Sequence, residues 1–359
     1  MAITINDLFT PQAIAENWTE VHSNAIPYLG SGLFPARKKM GLDLAWIKGY
    51  KGLPVSLKPS AFDAKPTFRD RIGVTKVETE MAFFREAMTL SEKDEQDIMR
   101  IQDTNSPYAQ DILNRIFDDA NTLVDGANVV PERMIMQLLS PADGNVGINI
   151  TANNVPYVYG YDTPDHKFQT NNFLSLAADS ANKWSATATA DPLTDFRTAM
   201  DKVEEATGTR PSVAIVSRKT FNYLLANAKI KSAILAQNPT ANIFMTDGIL
   251  KAFLQAQLGL DVIIYTKKYK DESGTAHQFY PDDMCTLIPD GALGSTWYGT
   301  TPEERSGMGS GSKISIVNTG IAVLTYTTPT PPINTITSVS EIVLPSFERM
   351  DEVYVMKVA

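Results

Sequence analysis

A basic segment from Leu33 to Lys76 constrains most strongly what this chain of 359 residues can fold into. Apolar residues alternate with other residues over 42–46 and again over 55–58, which predicts two strands of a long hairpin. A hairpin of this kind cannot bury much surface by itself. Glycine and proline exclude a long helix here, at positions that include Gly41, Gly49, Gly52, Pro54, Pro59 and Pro66.

The charge of this segment is opposite to that of the rest of the chain. Ten Lys and Arg residues against three Asp give the segment a net charge of +7, whereas the whole chain carries −9 and the remainder therefore −16. A charge-rich segment is usually a solvated face. Large apolar side chains lie between these charges, among them Trp46, Ile47 and Tyr50, and they favour a segment that lies on another surface.

Two surfaces could receive such a segment. Basic residues interleaved with aromatic residues are also found where proteins bind single-stranded nucleic acid. Because the remainder of this chain is acidic, a neighbouring copy of the same chain is the better candidate. We expect the contact to be made by Arg37, Lys38, Lys39, Trp46, Ile47, Lys48, Tyr50, Lys51, Lys58, Arg69 and Arg71.

Composition limits the class of protein further. The hydrophobic fraction of 43% and the charged fraction of 20% are typical of a packed globular protein. The sequence pI near 5.0 argues against a surface that binds nucleic acid over its whole extent. Cys285 is the only cysteine, which excludes an intrachain disulfide and a cysteine-based zinc site and suits a reducing cytosol. No signal peptide and no transmembrane helix are predicted.

The strongest helical pattern covers residues 107–139, where apolar residues recur at spacings of three and four. Gly126 and Pro131 should bend this helix or break it briefly. Residues 77–90 are predicted to form a strand that turns toward a helix. Two further strands are predicted within 146–160 from alternating apolar residues.

The second half of the chain alternates helix and strand before it turns mainly to strand. Residues 190–266 are predicted to form an α/β subdomain, in which a helix begins at Asp191 and is stopped by Gly208. Residues 161–185 are polar and are predicted to be a loop. Strands dominate from residue 276 to the end of the chain. Three further helices are predicted at about 218–226, 229–236 and 246–258.

The sequence predicts no catalytic residue, no cofactor site and no metal site. The three histidines, His22, His166 and His277, have no spacing typical of metal ligands. A Walker loop needs glycine directly before its lysine, but Ser312 separates Gly311 from Lys313. Acidic groups lack the spacing of a calcium loop and are predicted to be solvated, namely Asp118 with Asp119, Asp162 with Asp165, and Asp282 with Asp283.

The order of several short motifs resembles that of a known family. The motifs are Leu33-Phe34-Pro35 before a basic hairpin with Ile47-Lys48-Gly49, then Phe68-Arg69-Asp70-Arg71-Ile72-Gly73, then Pro131-Glu132-Arg133-Met134 late in a long helix. Together they resemble the lambda-type major capsid protein E family of tailed phages and prophages. The resemblance covers nearly the whole chain and is strongest over residues 33–150.

The resemblance implies an α+β chain with the Hong Kong 97-type phage capsid fold. Such a fold has an N-terminal arm, an extended β-hairpin loop, a peripheral domain with a long spine helix and a β layer, and an α/β axial domain. On this chain the segments would be an arm at 1–32, an extended loop at 33–76, a peripheral domain at 77–160 with 315–359, and an axial domain at 161–314.

The resemblance also implies a function, namely a structural shell protein and not an enzyme. Copies would form the pentamers and hexamers of an icosahedral phage head around double-stranded DNA, bound without sequence specificity. Scaffold, portal and decoration proteins would be partners, and assembly would take place in the host cytoplasm, with no contact to a membrane.

Two other classes stay open at this stage. A nanocompartment shell of the same fold would enclose cargo enzymes. An enzyme could instead use acids such as Asp282 and Asp283 in a cleft, and a polar pocket in a soluble monomer would indicate that class.

Overall fold

The computed structural model describes most of the chain and leaves several stretches out. The predicted hairpin strand at 55–58 and the glycine-rich loop at 308–313 lie outside the described residues. The described residues are 27–48, 75–93, 96, 107–152, 155–237, 245–271, 273–307, 314–328 and 330–359.

Helices and strands both occur throughout the described chain. The helices are α1 (Leu29–Leu33), α2 (Pro107–Leu139), α3 (Lys167–Asn171), α4 (Pro192–Thr207), α5 (Arg218–Ala226), α6 (Ala228–Gln237), α7 (Asp247–Leu258) and α8 (Pro302–Gly307), with a 3₁₀ helix at Met350–Glu352. The strands are β1 (Ala36–Lys38), β2 (Asp43–Lys48), β3 (Thr75–Glu80), β4 (Ala82–Leu90), β5 (Gly147–Ala152), β6 (Val155–Gly160), β7 (Phe173–Ser175), β8 (Val213–Val216), β9 (Asp261–Ile264), β10 (Lys268–Lys270), β11 (Ala276–Gln278), β12 (Met284–Ile288), β13 (Gly294–Tyr298), β14 (Ile314–Val317), β15 (Ile321–Thr327), β16 (Thr335–Phe347) and β17 (Tyr354–Lys357).

These elements form two compact units. The first unit consists of described residues within Met1–Ala45, Glu78–Arg133 and Ser295–Ser346. The second unit consists of described residues within Trp46–Val77, Met134–Gly294 and Phe347–Ala359. These limits differ from those of the four segments that the resemblance implies, and that division of the chain stays a prediction.

The first unit is organised by a six-stranded sheet. Five strands follow the order β1-β13-β16-β15-β14, and β4 also pairs with β16, on the edge opposite β15. The pairings of β16 with β15 and with β4 are antiparallel, whereas β1 runs parallel to β13. Leu123 and Val124 of α2 pack on one face of this sheet against Val317, Val323 and Val339.

The second unit is an α/β structure, as its alternating pattern predicts. Its five-stranded sheet has the order β7-β17-β12-β8-β9. The buried core includes Trp184, Phe196 of α4, Phe221 of α5 and Leu254 of α7, each with no exposed surface. The helices and strands predicted between residues 190 and 266 are present as α4, β8, α5, α6, α7 and β9.

The ends of the helices in this unit follow from their capping residues. The Asp191 side chain accepts a hydrogen bond from the backbone N–H of Thr194 at the start of α4, which satisfies one of the free donors of the first turn. Gly208 ends α4 with a φ of 76°, a left-handed conformation that costs glycine little. Gly259 ends α7 in the same way, with a φ of 68°.

Two predictions on local structure were wrong or incomplete. Residues 161–185 contain α3 and β7 where a loop was predicted, because Phe168 is buried and β7 pairs with β17. Helix α2 continues without a break through Gly126 and Pro131. The proline removes one intrahelical hydrogen bond, and the rest of this 33-residue helix maintains the conformation.

Burial in the core of the second unit predicts how much two similar substitutions should destabilise the protein. Leu254 is fully buried in α7, whereas Leu235 in α6 is 42% exposed. Leu254→Ala should lower the free energy of unfolding by about 2–5 kcal/mol, because it removes buried methyl groups and leaves a cavity. The matched control Leu235→Ala should cost less than about 1 kcal/mol. Urea denaturation measures both, and equal losses would contradict the packing described here.

Candidate subunit-contact surface

The described part of the basic segment begins with a strand that is fixed to the first unit. Strand β1 pairs in parallel with β13, with Arg37 opposite Trp297. Two further backbone hydrogen bonds hold its ends, from Thr296 to the carbonyl of Pro35 at 3.0 Å and from Lys39 to the carbonyl of Tyr298 at 2.8 Å. The base of the segment is therefore anchored through main-chain groups, and its side chains are left at the surface.

Each of the first three cations of the segment contacts its own chain. The Arg37 guanidinium lies 5.7 Å from the ring centre of Trp297. The Lys38 Nζ donates to Glu304 Oε1 at 2.6 Å, and the Lys39 Nζ donates to the backbone carbonyl of Asp43 at 2.7 Å. The side chain of Lys38 is 32% exposed, and an ion pair at such a position contributes about 0–1 kcal/mol. These contacts orient the cations without burying them.

The two glutamates of α8 form ion pairs with basic side chains of two different strands. Glu304 pairs with Lys38 of β1. Glu303 pairs with Arg85 of β4 and accepts a hydrogen bond from the Ser340 hydroxyl at 2.8 Å. Helix α8 therefore joins the basic segment electrostatically to the sheet that carries it.

Trp46 lies inside its own chain. It is 7% exposed, and its ring centre is 5.3 Å from that of Tyr161 at an angle of 35°. Trp46 was assigned to a subunit contact because the sequence indicates no surface of its own chain on which the side chain could pack. The structure corrects that argument, because Tyr161 supplies the surface from a distant part of the sequence.

The other predicted contact residues are described only in part. Ile47 and Lys48 lie at the end of β2. Tyr50, Lys51, Lys58, Arg69 and Arg71 lie outside the described residues. The structure therefore brings Arg37, Lys38 and Lys39 together at the base of the segment, and the contact itself stays a prediction.

Polar residues that could have indicated catalysis serve local structure instead. Asp162 accepts a hydrogen bond from the backbone N–H of Phe168 at 2.9 Å, at the start of α3. Asp283 accepts from the Tyr223 hydroxyl at 3.0 Å and from the Lys219 Nζ at 2.9 Å. Within the described ranges no group of three or more His, Cys, Asp and Glu side chains could hold a metal ion.

One cavity among the described residues of the second unit does not have the character of a catalytic cleft. Its volume is about 480 Å³, and Asp282 and Asp283 do not line it. Most of the lining is apolar and comes from α5, α6 and the chain just before α7, with the residues Asn222, Leu225, Ala226, Lys231, Ile234, Leu235 and Met245.

The comparisons with known proteins identify the class of this fold. A protein assigned as a prophage capsid protein of Escherichia coli CFT073 matches at a TM-score of 0.57 with 13% identity, over 98% of this chain and 99% of that one. A phage-related protein of Bordetella bronchiseptica RB50 matches at 0.53 with 13% identity, over 98% and 97%. The predicted α+β fold of Hong Kong 97-type capsid proteins is therefore confirmed as the fold class.

The family follows from the sequence itself. Residues 10–310 match the family model described as phage major capsid protein E. The chain belongs to this family, which confirms the resemblance, and it is a phage or prophage capsid protein and a component of the virion.

No curated protein matches the chain. Family membership implies a structural role rather than a catalytic one, and no helix in the described part is long and apolar enough to cross a membrane.

One buried acid in the first unit was not singled out by sequence reasoning. Glu341 in β16 is 1% exposed, and neither of its carboxylate oxygens has a hydrogen-bond partner among the residues that the structure describes. Burial raises the pKa of this carboxyl well above its ordinary value. A glutamate within an alternating strand gives no sequence signal of its own, because its exposure is decided by which face of the sheet is covered.

The raised pKa of Glu341 predicts that stability depends on pH. The unfolded chain releases this proton above about pH 4.5, whereas the folded chain retains it, so the free energy of unfolding should fall as pH rises from there. One proton gives a slope of up to about 1.4 kcal/mol per pH unit. Glu341→Gln should remove this slope, as measured by urea denaturation of the unassembled subunit between pH 4 and 8.

A matched control lies on the adjacent strand. Glu86 in β4 is exposed, and Glu86→Gln should leave the pH dependence as it is in the unmodified protein. Parallel pH profiles for the unmodified protein and the Glu341→Gln variant would contradict the burial of an ionisable carboxyl in β16.

Proposed function

We propose that this protein builds the icosahedral head of a tailed phage or prophage, in which its copies form pentamers and hexamers around double-stranded DNA. The observation that carries this proposal is the family match over residues 10–310. That match includes the basic segment and most of both units, and it leaves out residues 311–359. A protein made for a single soluble copy would not need a net charge of +7 on one segment and −16 on the remainder.

The basic segment is proposed to contact a neighbouring copy. Strand β2, which ends at Lys48, pairs with β3, which begins at Thr75. This arrangement fixes both ends of the segment to its own subunit. Lys48, Lys51, Lys58, Arg69 and Arg71 then supply positive charge, and the acidic surface of the next copy supplies the opposite charge.

Repetition explains how contacts of this kind can hold a shell. A single exposed ion pair contributes about 0–1 kcal/mol, which is too little to join two subunits. Once a subunit is held by several neighbours, each further contact forms within the same particle and at a high effective concentration. Contacts between exposed charges also weaken with ionic strength, so assembly should become less complete as salt increases.

The partners follow from the same role. We propose that scaffold, portal and possible decoration proteins join the shell, and that assembly takes place in the host cytoplasm. Cys285 is buried, so the fold needs no disulfide and is suited to a reducing compartment. The net charge of −9 would repel DNA, which suits a wall around DNA better than a protein that binds it tightly.

Charge reversal in the basic segment tests the subunit contact. Replacement of Lys48, Lys51 and Lys58 by glutamate should leave a soluble subunit that does not form shells, because the segment would then repel an acidic neighbour. Electron micrographs of the purified protein distinguish closed particles from free subunits.

The control makes the same change of charge elsewhere. Lys231, Lys268 and Lys270 are exposed in α6 and β10 of the second unit, and their replacement by glutamate should leave assembly intact. Normal particles from the variant of the basic segment would refute the proposed contact.

The content of the particles tests the function itself. Particles purified from cells that produce the whole phage should contain nuclease-protected double-stranded DNA. Gel electrophoresis of the extracted content shows whether it is nucleic acid or protein. Particles that hold cargo enzymes and no DNA would instead support the nanocompartment alternative.

A further inference from the structure

We infer that the first unit carries a second, uncharged contact surface, and that this surface pairs with the same surface of a second copy. The surface consists of strand β14 and the open end of the sheet face beside it. The inference rests on the proposed function, since it requires that copies of the chain assemble.

The charge of the sequence around β14 is the first observation. The 27 residues from Ile314 to Ser340 contain no Asp, Glu, Lys or Arg. They form β14, β15 and the first half of β16. In a chain with 20% charged residues, an uncharged stretch of this length that reaches the surface needs a physical reason.

The edges of the sheet are protected unequally. Among the described strands, β14 pairs only with β15, β4 only with β16, and β1 only with β13. Exposed charges lie on β4, as Arg85 and Glu86, and on β1, as Arg37 and Lys38. Charged side chains on an edge strand prevent it from pairing with other strands. Strand β14 has the sequence Ile-Ser-Ile-Val and lacks this protection.

The face next to this edge is also apolar. Ile314 lies opposite Leu324, and Tyr326 lies opposite Ile336, so these side chains share one face of the sheet. The other face is the one that packs on α2. Ile316 and Tyr326 each keep 43% of their surface exposed.

Helix α8 covers only one end of this face. Ser340 is buried at 1% exposure and donates to Glu303 of α8. Ala322, opposite Ser340 on β15, is buried to the same extent. The opposite end, with Leu324 and Tyr326, carries the exposed apolar surface, so edge and face together form one patch without charge.

The absence of charge indicates which occupant fits this patch. The basic segment of a neighbouring copy needs an acidic receiver, which this patch does not offer. A charged patch repels an identical patch across a two-fold axis, whereas an uncharged one does not. Two copies of β14 related by such an axis run antiparallel, and their free backbone groups can then form a ladder.

Disulfide trapping tests the contact directly. Because identical residues meet near a two-fold axis, Ser315→Cys or Ile316→Cys should give disulfide-linked dimers when assembled particles are oxidised. The native Cys285 is buried and should give no background. The control is Ala276→Cys on β11 of the second unit, where the residue is also exposed, and this variant should stay monomeric on a non-reducing gel.

The outcomes separate this inference from the proposed function. Particles that yield no dimer with either β14 variant, or a link to a different protein, would overturn the inference and leave shell assembly standing. If the unmodified protein forms no particles, the proposed function fails instead.

A charge added to β14 gives an independent measurement. Ile316→Lys should lower the yield of particles by about tenfold or more, because like charges would meet across the axis. Ala276→Lys in β11 of the second unit, where the residue is exposed, should leave the yield unchanged. Circular dichroism of the free subunits checks that both variants fold, and a normal particle yield from a folded Ile316→Lys variant would overturn the inference.

Discussion

The pairing of strand β16 with its neighbours is the interaction on which the first unit depends. This strand of thirteen residues pairs with β4 and β15 along opposite edges, and it also pairs with β13. Through β13 it also holds β1, the base of the basic segment. Side chains alternate between the two faces of a sheet, so a shift of β16 by one residue would move each of its side chains to the other face. The unprotected edge and the anchored basic segment therefore both derive from the placement of one strand.

Local sequence patterns predicted most of the helices and strands. They failed to predict strands whose pairing partner lies far away in the sequence. Asp191 and Gly208 mark the ends of α4 in the sequence and in the structure. By contrast, β1 and β13 were not predicted, because Gly-Ser-Thr-Trp-Tyr has no clear alternation and its parallel partner lies far along the chain. Trp46 was misjudged for a related reason, since the sequence gives no indication that Tyr161 lies beside it. The charge of the segment needed no such information and was evident from composition alone.

The first unit combines two kinds of surface that cannot substitute for each other. Cations at Arg37, Lys38 and Lys39 suit an acidic receiver, whereas β14 suits an uncharged strand. A basic segment placed on an uncharged edge would lose hydration without gaining a partner charge. Specificity between two contacts in one particle can therefore follow from desolvation costs as well as from attraction.

The uncharged edge also has a consequence for a subunit that has not yet met a partner. An unpaired strand without charge is a template for any other exposed strand, and short segments rich in Ile, Val and Thr with no charge are prone to form stacked β-structure. The residues of β14 would then favour inclusion bodies whenever synthesis outpaces assembly. The solubility of this chain therefore depends on two rates: newly made copies must assemble faster than their free strands aggregate.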